Sequence, residues 1–333
     1  MSTIGQLERK TQQRVVKLFR DTLGYAYLGD WEERDGNRNI EVERLHAFLK
    51  KQQGYDDGLI AKALHQLERA AGDTSKSLYD RNLEVYGLLR YGVKVKPDVG
   101  ENNVTVHLID WEHPEKNDFA IAEEVTVLAA DAKAHTKRPD VVIYVNGIAL
   151  GVLELKRSTV SVAEGIRQNL DNQKKEFIQP FFSTVQLLLA GNDAEGLRYG
   201  SIETKEKYYL TWKETDPKWA TGEEGLLDAA LIQLCNKARL LELIHDFIVF
   251  DAGTKKLCRH NQYFAVRASQ DFIRRREGGI IWNTQGSGKS LIMVWLAKWI
   301  RENVKNSRVL IITDRTELDA QIQVHPASVY LDS

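Results

Sequence analysis

The amino-acid sequence predicts an α/β protein of 333 residues in two domains. Three observations predict this class. Apolar residues recur at helical spacing over roughly the first 70 positions, short apolar runs separated by turn residues follow, and a glycine-rich loop precedes an apolar helix near residue 290. Domains of about 150 residues are usual, so this length predicts about two. We place them at 1–240 and 241–333.

Composition narrows the classes of protein that the chain can represent. Hydrophobic residues make up 43% of the sequence, enough for a sizeable core, and the formal net charge is −1. Without an overall basic excess, any contact with nucleic acid has to come from local patches. Cys235 and Cys258 lack the spacing of a zinc site, and the start of the chain lacks the apolar segment of a signal peptide. No apolar run reaches the roughly 20 residues of a membrane span, so we expect a cytoplasmic protein without membrane contact.

The first domain is predicted to begin with helices and to continue with strands. Apolar positions at helical spacing predict three helices, over 11–23, 40–51 and 56–71. From Leu83 to Trp111 the pattern alternates and is interrupted by Gly, Pro and Asn, which is typical of strands joined by turns. We therefore expect the α/β core of this domain over about 83–212, with the helices before it.

The centre of the first domain is predicted to contain a strand–helix–strand unit. Three apolar runs have the length of buried strands, over 140–145, 149–155 and 184–190. The segment 161–178 between the last two predicts a helix, which indicates a βαβ unit. A polar, turn-rich connector is expected over 213–225. Two further helices, over 226–250 and 261–276, are expected to lead into the second domain.

Charged residues stand at the ends of two adjacent apolar runs, although a strand interior disfavours them. Asp140 opens the first run, and Glu154 and Lys156 close the second. Burying an unpaired charge is costly, so something should neutralise these carboxylates. Mg²⁺ binds one or two carboxylates together with waters. Lys156 points to the same strand face as Glu154, where it could orient an attacking water or stabilise charge on a scissile phosphate.

The order of these residues resembles the PD-(D/E)xK nuclease motif. The resemblance implies catalytic roles for Asp140, Glu154 and Lys156, with the two carboxylates as metal ligands. It also implies that Gln168, in the following helix, helps to position DNA or water. Related enzymes often have a tyrosine four residues later, where this chain has Asn172. The simpler alternatives are a solvated hairpin end with a Glu–Lys pair and a solvent-facing glutamine.

A second site is predicted by the stretch GGIIWNTQGSGKSLIMVWLAKWI, which has the pattern strand, glycine-rich loop, helix. Backbone N–H groups at such a helix start wrap the phosphates of ATP, Lys289 reaches the β- and γ-phosphates, and Ser290 binds Mg²⁺. Asn283 stands where the complete phosphate-loop pattern has its first glycine. A strand over 308–313 is expected to complete a second βαβ unit. The alternative is an ordinary glycine turn before a buried helix. The residues expected to bind the nucleotide here are Thr284, Gly286, Ser287, Gly288, Lys289 and Ser290.

Two neighbouring stretches resemble motifs of helicase-like motors. CRHNQYFAV is similar to the glutamine motif that reads adenine, with Gln262 as the reader, and ITDRTELDAQ is similar to helicase motif Ia. The alternatives are a polar helix start and a plain strand-to-helix turn. With the phosphate loop, these motifs predict the first part of a RecA-like parallel α/β domain.

The motifs stand in the order found in the restriction (R) subunit of type I restriction–modification enzymes, and the chain resembles that family over residues 1–321. Phrases such as RPDVVIYVNGIALGVLELK and WNTQGSGKS carry the resemblance. It implies Mg²⁺-dependent cleavage of double-stranded DNA, coupled to ATP-driven translocation. It also implies association with methyltransferase (M) and specificity (S) subunits.

The second acidic motif and the arginines that such motors need do not follow Gln321. We therefore expect an N-terminal portion of the family's chain, with an ATPase that is inactive alone. Two alternatives remain open: a non-catalytic module that binds DNA or docks on partner subunits, and a standalone nucleotide-binding protein with a degraded nuclease fold. DNA contact is expected at Lys156–Arg157 and at Arg274–Arg276, and the alternative for the arginine run is a solvated helix end. The third metal ligand is left open among Glu41, Glu43 and Glu84.

Overall fold

The structure is a computed structural model that describes residues 3–98, 100–129, 136–214 and 225–312. The chain divides into two compact units, and the division falls after Leu241. Within the described residues, no helix is long and apolar enough to cross a membrane.

The first unit begins with helices and one strand. The three helices predicted from apolar spacing are confirmed, and the ends of the second and third change little. The first begins earlier than predicted, at Thr3, and continues as a π-helical turn over Leu18–Thr22. Strand β1 was not predicted. The elements are α1 (Thr3–Lys17), β1 (Ala26–Asp30), α2 (Val42–Lys51), α3 (Asp57–Gly72) and α4 (Leu78–Tyr91).

Helix α4 corrects the prediction of strands from residue 83. Ser77 caps the helix, since its hydroxyl accepts a hydrogen bond of 3.1 Å from the backbone N–H of Asp80. Leu78, Val85 and Leu89 are buried at helical spacing, so packing sustains the helix through its Gly-containing second half. Strands begin only afterwards, as the antiparallel pair β2 (Val93–Val95) and β3 (Val104–Val106).

A six-stranded mixed sheet forms the centre of the first unit. Its spatial order is β1-β4-β5-β6-β7-β8. Helix α5 (Val162–Asn172) connects β6 to β7, which pair in parallel, so the predicted βαβ unit is confirmed. Strands β1 and β4 also pair in parallel, and the remaining neighbours are antiparallel. The later strands are β4 (Phe119–Glu123), β5 (Val141–Val145), β6 (Ile148–Leu155), β7 (Leu187–Asn192) and β8 (Gly196–Gly200).

The turn between β5 and β6 sets the register that positions the candidate site. Asn146 and Gly147 both have positive φ, of 54° and 81°, as in the Asn-Gly turns that suit the twist of a hairpin. A Cβ at residue 147 would lie 2.7 Å from the carbonyl oxygen of Glu41, so only glycine fits. From this turn the ladder reaches the pair Val141 and Leu153. The next position along each strand therefore brings Asp140 opposite Glu154.

Both faces of the sheet are covered. Ile121, Ile143 and Leu153 are fully buried on one face. On the other face, alternate residues of β4 to β7 join a core cluster that includes Phe181 and Phe182, and α5 packs through Val162 and Ile166 against Ala190. Burial on both sides explains why these strands read as continuous apolar runs.

The helix predicted over 226–250 is two helices, α6 (Leu226–Cys235) and α7 (Lys237–Asp246). Asn236 interrupts them with ψ of 131°, and its side-chain oxygen accepts a hydrogen bond of 3.2 Å from the N–H of Ala238. An asparagine side chain can start a new helix in this way, which favours a break over continuation. Tyr25 holds the end of α6 through a bond of 2.8 Å from its hydroxyl to the carbonyl of Cys235.

The second unit contains an antiparallel hairpin and two helices among the described residues. The hairpin, β9 (Ile248–Asp251) and β10 (Thr254–Leu257), was not predicted. Helices α8 (His260–Arg274) and α9 (Lys289–Asn303) agree with the prediction.

The two strands expected to flank α9 are absent from the described residues of the second unit. Residues 277–284 and 308–312 are irregular, and Ile280 and Trp282 are 90% and 91% exposed. A strand needs a neighbouring strand to satisfy its backbone N–H and C=O groups, and among the described residues neither segment pairs with one. Residue 313 and the stretch resembling motif Ia lie outside the described residues.

Candidate active site

Two carboxylates meet at the end of the β5–β6 hairpin. Asp140 precedes β5, and its Oδ2 accepts a hydrogen bond of 2.6 Å from the backbone N–H of Leu155. Glu154 lies on β6, next to this bond, and its side chain is fully buried. The two residues lie at the ends of neighbouring strands of one hairpin, and the antiparallel register brings them together.

Lys156 joins the two carboxylates from the same side of β6. Its Nζ lies 3.9 Å from Oδ2 of Asp140 and 3.3 Å from Oε1 of Glu8. Its backbone N–H donates to the carbonyl of Gly191 at 2.9 Å, so β7 fixes the strand end that carries the lysine. The three residues of the predicted motif are therefore assembled in one place.

The electrostatics of Glu154 favour a cation beside it. Burial raises the pKa of Glu154 well above its usual range, nearby Asp140 raises it further, and Lys156 lowers it. Burial also raises the pKa of Asp140, against the opposing effect of Lys156. Two neighbouring buried carboxylates cannot both be ionised without cost, and a divalent cation would remove that cost.

The hydrogen bonding of Glu154 indicates whether these residues fit Mg²⁺. Oε2 of Glu154 is buried and has no hydrogen-bond partner, although a buried acceptor is normally satisfied. A hard cation with one or two carboxylate ligands and waters suits such an acceptor. Within the described part of the chain, no group of three or more His, Cys, Asp or Glu side chains is arranged to hold a metal. The fit therefore rests on Asp140 and Glu154.

Lys156 is set up as a cation. Burial by itself would lower the pKa of its ammonium group, but Asp140, Glu154 and Glu8 together outweigh burial and raise it. The side chain is 15% exposed, so its charge is only partly screened by water. A protonated lysine at this position can stabilise negative charge on a phosphate and is a poor general base.

The site opens into a cleft of about 440 Å³. Acidic side chains outnumber basic ones along its walls, which favours a cation there and opposes direct binding of a phosphate. Gln168 of α5 lies in the wall. The lining residues are Glu8, Arg9, Gln12, Gln13, Asp30, Glu32, Glu123, Glu124, Arg138, Asp140 and Gln168.

Helix α1 contributes two site residues that sequence reasoning missed. Glu8 reaches Lys156, and the amide of Gln12 donates to carboxylate oxygens of Glu123 at 3.0 Å and Glu124 at 2.9 Å. Their spacing of four residues places them on one helical face, which was the available signal. Nothing in the sequence indicated that this face meets the end of β6.

Glu124 supports the backbone beside Asp140. Its φ is 51°, in the left-handed region that most side chains avoid. In this conformation its N–H donates to the carbonyl of Asp140 at 2.9 Å, and the N–H of Val125 donates to that of Pro139 at 3.0 Å. Arg138 pairs with the Glu124 carboxylate at 2.7 Å.

The three candidates for a further metal ligand are wrong. Glu41, Glu43 and Glu84 are not among the described residues that line the cleft. Glu41 pairs with Arg34 at 2.6 Å, and Glu84 pairs with Lys76 at 2.5 Å. They were chosen by residue type alone, and the fold carries them to other surfaces. Glu8 is the acidic residue that the structure places beside Lys156.

Within the second unit, the phosphate loop precedes α9 as predicted. Gly288 has φ of 80°, and a Cβ there would lie 2.4 Å from Nε2 of Gln262, so glycine is required. Nζ of Lys289 donates to the loop's own carbonyls, at 3.0 Å to Asn283 and 3.2 Å to Thr284. Ser290 lies in the first turn of α9.

Gln262 lies against this loop. It is 2% exposed, and its Nε2 donates to the carbonyls of Ser287 at 2.9 Å and Gly288 at 3.1 Å. Its Oε1 accepts from the N–H of Arg259 at 2.8 Å. The amide thus ties the loop to the start of α8. Contact with an adenine would require some of these bonds to be exchanged.

The basic clusters expected to contact DNA are partly neutralised. Arg274 pairs with Asp271 at 2.7 Å, and Arg275 pairs with Glu277 at 3.0 Å. Lys156 is held by the acidic residues of the cleft. Two exposed cations line the cleft wall. Arg138 pairs with Glu32 and Glu124, and Arg9 lies on the first helix.

Comparison with known proteins gives two family matches. Residues 5–207 match the family described as Type I restriction enzyme R protein N terminus. Residues 261–330 match the family described as SWI2/SNF2 ATPase. The first match covers the cleft, and the second covers the phosphate loop.

Curated relatives agree with the first match. The Type I restriction enzyme HindI endonuclease subunit of Haemophilus influenzae is 29% identical, over 96% of this chain and 32% of that protein. A protein of Methanocaldococcus jannaschii described as a type I restriction enzyme MjaIXP endonuclease subunit is 26% identical, over 93% of this chain and 33% of its own length. The Type I restriction enzyme SsaAORF53P endonuclease subunit of Staphylococcus saprophyticus is 26% identical, over 71% of this chain and 25% of that protein. The chain therefore spans about a third or less of the length of these relatives.

Proposed function

Because the chain belongs to the family of type I restriction enzyme R protein N termini, we propose that its first unit is a PD-(D/E)xK-type nuclease domain that cleaves double-stranded DNA with Mg²⁺. The observation that carries this proposal is the meeting of Asp140, Glu154 and Lys156 at one end of the β5–β6 hairpin, with an unsatisfied acceptor atom on Glu154.

Each residue has a proposed role. Asp140 and Glu154 would hold Mg²⁺, which would supply positive charge beside the scissile phosphate. Lys156 stabilises the negative charge that develops on that phosphate, because its neighbours keep it protonated. Glu8 orients the lysine through their contact of 3.3 Å. Gln168 faces the same cleft and is proposed to position the attacking water or the DNA.

The DNA is proposed to approach along the cleft wall formed by α1 and α5. Arg9 and Gln13 are exposed and line the cleft, so they can contact phosphates flanking the scissile bond. The remainder of the cleft is acidic and would repel the DNA backbone unless a divalent cation were bound. We propose that M and S subunits supply sequence recognition, as the family resemblance implies.

The second unit is proposed to be the beginning of a RecA-like domain that binds ATP. Support comes from the phosphate loop before α9, the glutamine at its back and the match to the SWI2/SNF2 ATPase family. Residues Gly286 to Ser290 would surround the phosphates, with Lys289 on the β- and γ-phosphates and Ser290 on Mg²⁺. In the family's longer chains this site would drive translocation along DNA.

The proposed domains are 1–240 for the nuclease and 241–333 for the ATP-binding part. Contacts of α6 and of the start of α7 with the rest of the first unit support this division. Arg14 of α1 pairs with Asp228, and Arg239 pairs with Glu214 at 2.7 Å.

A second candidate function is a non-catalytic module that binds DNA or docks on partner subunits. Titration with Mn²⁺ by calorimetry distinguishes the two, with the whole chain as the sample. We expect one site in the wild-type chain and its loss in Asp140→Asn and Glu154→Gln. Glu164→Gln, a change of the same chemistry at an exposed residue of α5, should bind like wild type. A wild-type chain that does not bind Mn²⁺ would favour the docking module.

A further inference from the structure

The last residue of α5 contacts the buried carboxylate of the nuclease site. Nδ2 of Asn172 donates to Oε1 of Glu154 at 3.3 Å. Asn172 is 1% exposed and Glu154 is fully buried, so water does not compete for this bond. Oε2, the other oxygen of the same carboxylate, has no partner.

Close packing of α5 on the sheet delivers Asn172 to this position. Gly165 faces the strands, and a Cβ there would lie 3.2 Å from the Cβ of Ala190 and 3.5 Å from that of Glu154. The end of the helix is also tied to the sheet, because Nδ2 of Asn169 donates to the carbonyl of Leu189 at 2.9 Å. The approach of Asn172 to Glu154 is therefore set by the helix as a whole.

Packing alone does not explain an amide at residue 172. Its Oδ1 is buried without a hydrogen-bond partner, and leaving such an atom unsatisfied costs stability. A leucine has the same number and branching of side-chain heavy atoms and carries no polar atom to leave unsatisfied. The hydrogen bond from Asn172 to Glu154 offsets part of the cost of burying this amide.

We propose that Asn172 is a positioning residue that holds one oxygen of Glu154, so that the other oxygen is presented to the divalent cation. This inference rests on the proposed nuclease function and names a contributor to its metal site. A single neutral donor fixes the carboxylate without adding a charge that would compete with the cation. Enzymes with the PD-(D/E)xK motif often have a tyrosine at the position of Asn172. A tyrosine has no side-chain amide, so the contact from this amide to Glu154 is a feature of this chain.

The test is direct binding of Mn²⁺ to the whole chain, measured from the electron paramagnetic resonance signal of the free ion at one fixed pH. The variants are Asn172→Leu and, because a shorter side chain cannot clash, Asn172→Ala. Asn169→Leu is the matched control. It removes a buried asparagine one turn earlier on the same helix, whose bond goes to the backbone and not to Glu154. Thermal unfolding of each variant is recorded without metal.

We expect both substitutions of Asn172 to weaken Mn²⁺ binding about 10- to 100-fold, the usual effect of losing a hydrogen bond that orients a ligand. Asn172→Leu removes one unsatisfied atom but also the donor to Glu154, so we expect it to unfold close to the wild-type temperature. Asn169→Leu should unfold at a lower temperature than wild type. Below its unfolding temperature, it should bind Mn²⁺ as tightly as wild type does.

Wild-type affinity in Asn172→Leu and Asn172→Ala would overturn the inference and leave the nuclease proposal standing. If the wild-type chain itself binds no Mn²⁺, the metal site fails and the inference fails with it. A loss of affinity equal to that in Asn169→Leu would show a general effect of loosening α5, and would also overturn the specific role of Asn172.

Discussion

The ammonium group of Lys156 lies 3.9 Å from Oδ2 of Asp140, across the open end of the β5–β6 hairpin. The antiparallel register that begins at the Asn146–Gly147 turn sets this distance. It gives the site a cation and two carboxylates before any metal binds. Four predictions concern this site and the cleft beside it, and a fifth concerns the phosphate loop of the second unit.

Alanine at Asp140, Glu154 or Lys156 should abolish DNA cleavage in a restriction complex whose R subunit contains this region. Loss of a group that stabilises transition-state charge commonly costs about 10²–10³ in rate, so we expect at least this reduction. ATP hydrolysis should persist, because the phosphate loop lies in the other unit. Plasmid cleavage and phosphate release are measured in the same samples. Normal cleavage by any of the three variants would refute its assignment.

Glu154→Gln should stabilise the metal-free chain at neutral pH. The folded state raises the pKa of Glu154, so the folded chain holds the proton more tightly than the unfolded chain. That contribution to stability is complete below the unfolded pKa of about 4.3 and is lost as the pH rises towards the folded value. We expect a gain of about 1–3 kcal/mol at pH 7.5, typical of relieving an unsatisfied buried group.

Denaturant unfolding at pH 4.5 and 7.5 checks this prediction. The advantage of Glu154→Gln should shrink at the lower pH, where the wild-type carboxyl group is protonated. Adding Mn²⁺ at pH 7.5 should stabilise the wild type and not the variant. An equal stability difference at both pH values would contradict the raised pKa.

Glu8→Gln should weaken the metal-dependent activity of the nuclease. The side chain of Glu8 orients Lys156 at 3.3 Å, and loss of such a supporting contact commonly costs about 10- to 100-fold in activity or metal affinity. Glu41→Gln is the matched control, since Glu41 pairs with Arg34 outside the cleft. The Mn²⁺ dependence of plasmid cleavage is measured for both. Equal effects of the two changes would remove Glu8 from the site.

Arg9→Ala should weaken binding of duplex DNA and reduce its dependence on salt. Each phosphate contact contributes about 0.9 to the slope of log affinity against log salt concentration, so we expect the slope to fall by about 1. Lys10→Ala removes the same charge from the adjacent exposed position, which does not line the cleft. Fluorescence anisotropy in a salt series compares them, in Ca²⁺ to prevent cleavage. Equal slopes in the two variants would argue against a contact at Arg9.

Lys289→Ala should abolish binding of ATP to the second unit. The lysine donates hydrogen bonds to carbonyls of its own loop, and binding of ATP would exchange these bonds for bonds to phosphate. We expect at least a tenfold loss of affinity, about 1.4 kcal/mol, measured with a fluorescent ATP analogue. Lys305→Ala, at an exposed position after α9, is the control. Unchanged binding in Lys289→Ala would exclude the loop as the phosphate site.

Local pattern was sufficient to predict the motif and most of the helices. Apolar spacing located α2, α3, α8 and α9, and the strand–helix–strand unit followed from short apolar runs around a helical segment. The spacing of Asp140, Glu154 and Lys156 was informative because a hairpin has a fixed geometry. The local pattern gave a wrong prediction where alternating residues overlapped a helix. Helix α4 extends into a stretch that predicts strands, because that stretch alternates and is interrupted by Gly, Pro and Asn. The buried face of α4 and its serine cap nevertheless sustain a helix.

The sequence by itself determined the hairpin, the two carboxylates and the lysine, because these depend on residues close along the chain and on the turn between them. Only the tertiary structure decided which other side chains complete the site. Glu8 is brought to Lys156 by the docking of α1, and Asn172 is brought to Glu154 by the packing of α5. Such contacts depend on how helices pack against the sheet, and that packing is set by buried shapes throughout the unit. Residue type and spacing do not reveal them, and the three glutamates chosen by residue type lie elsewhere for the same reason.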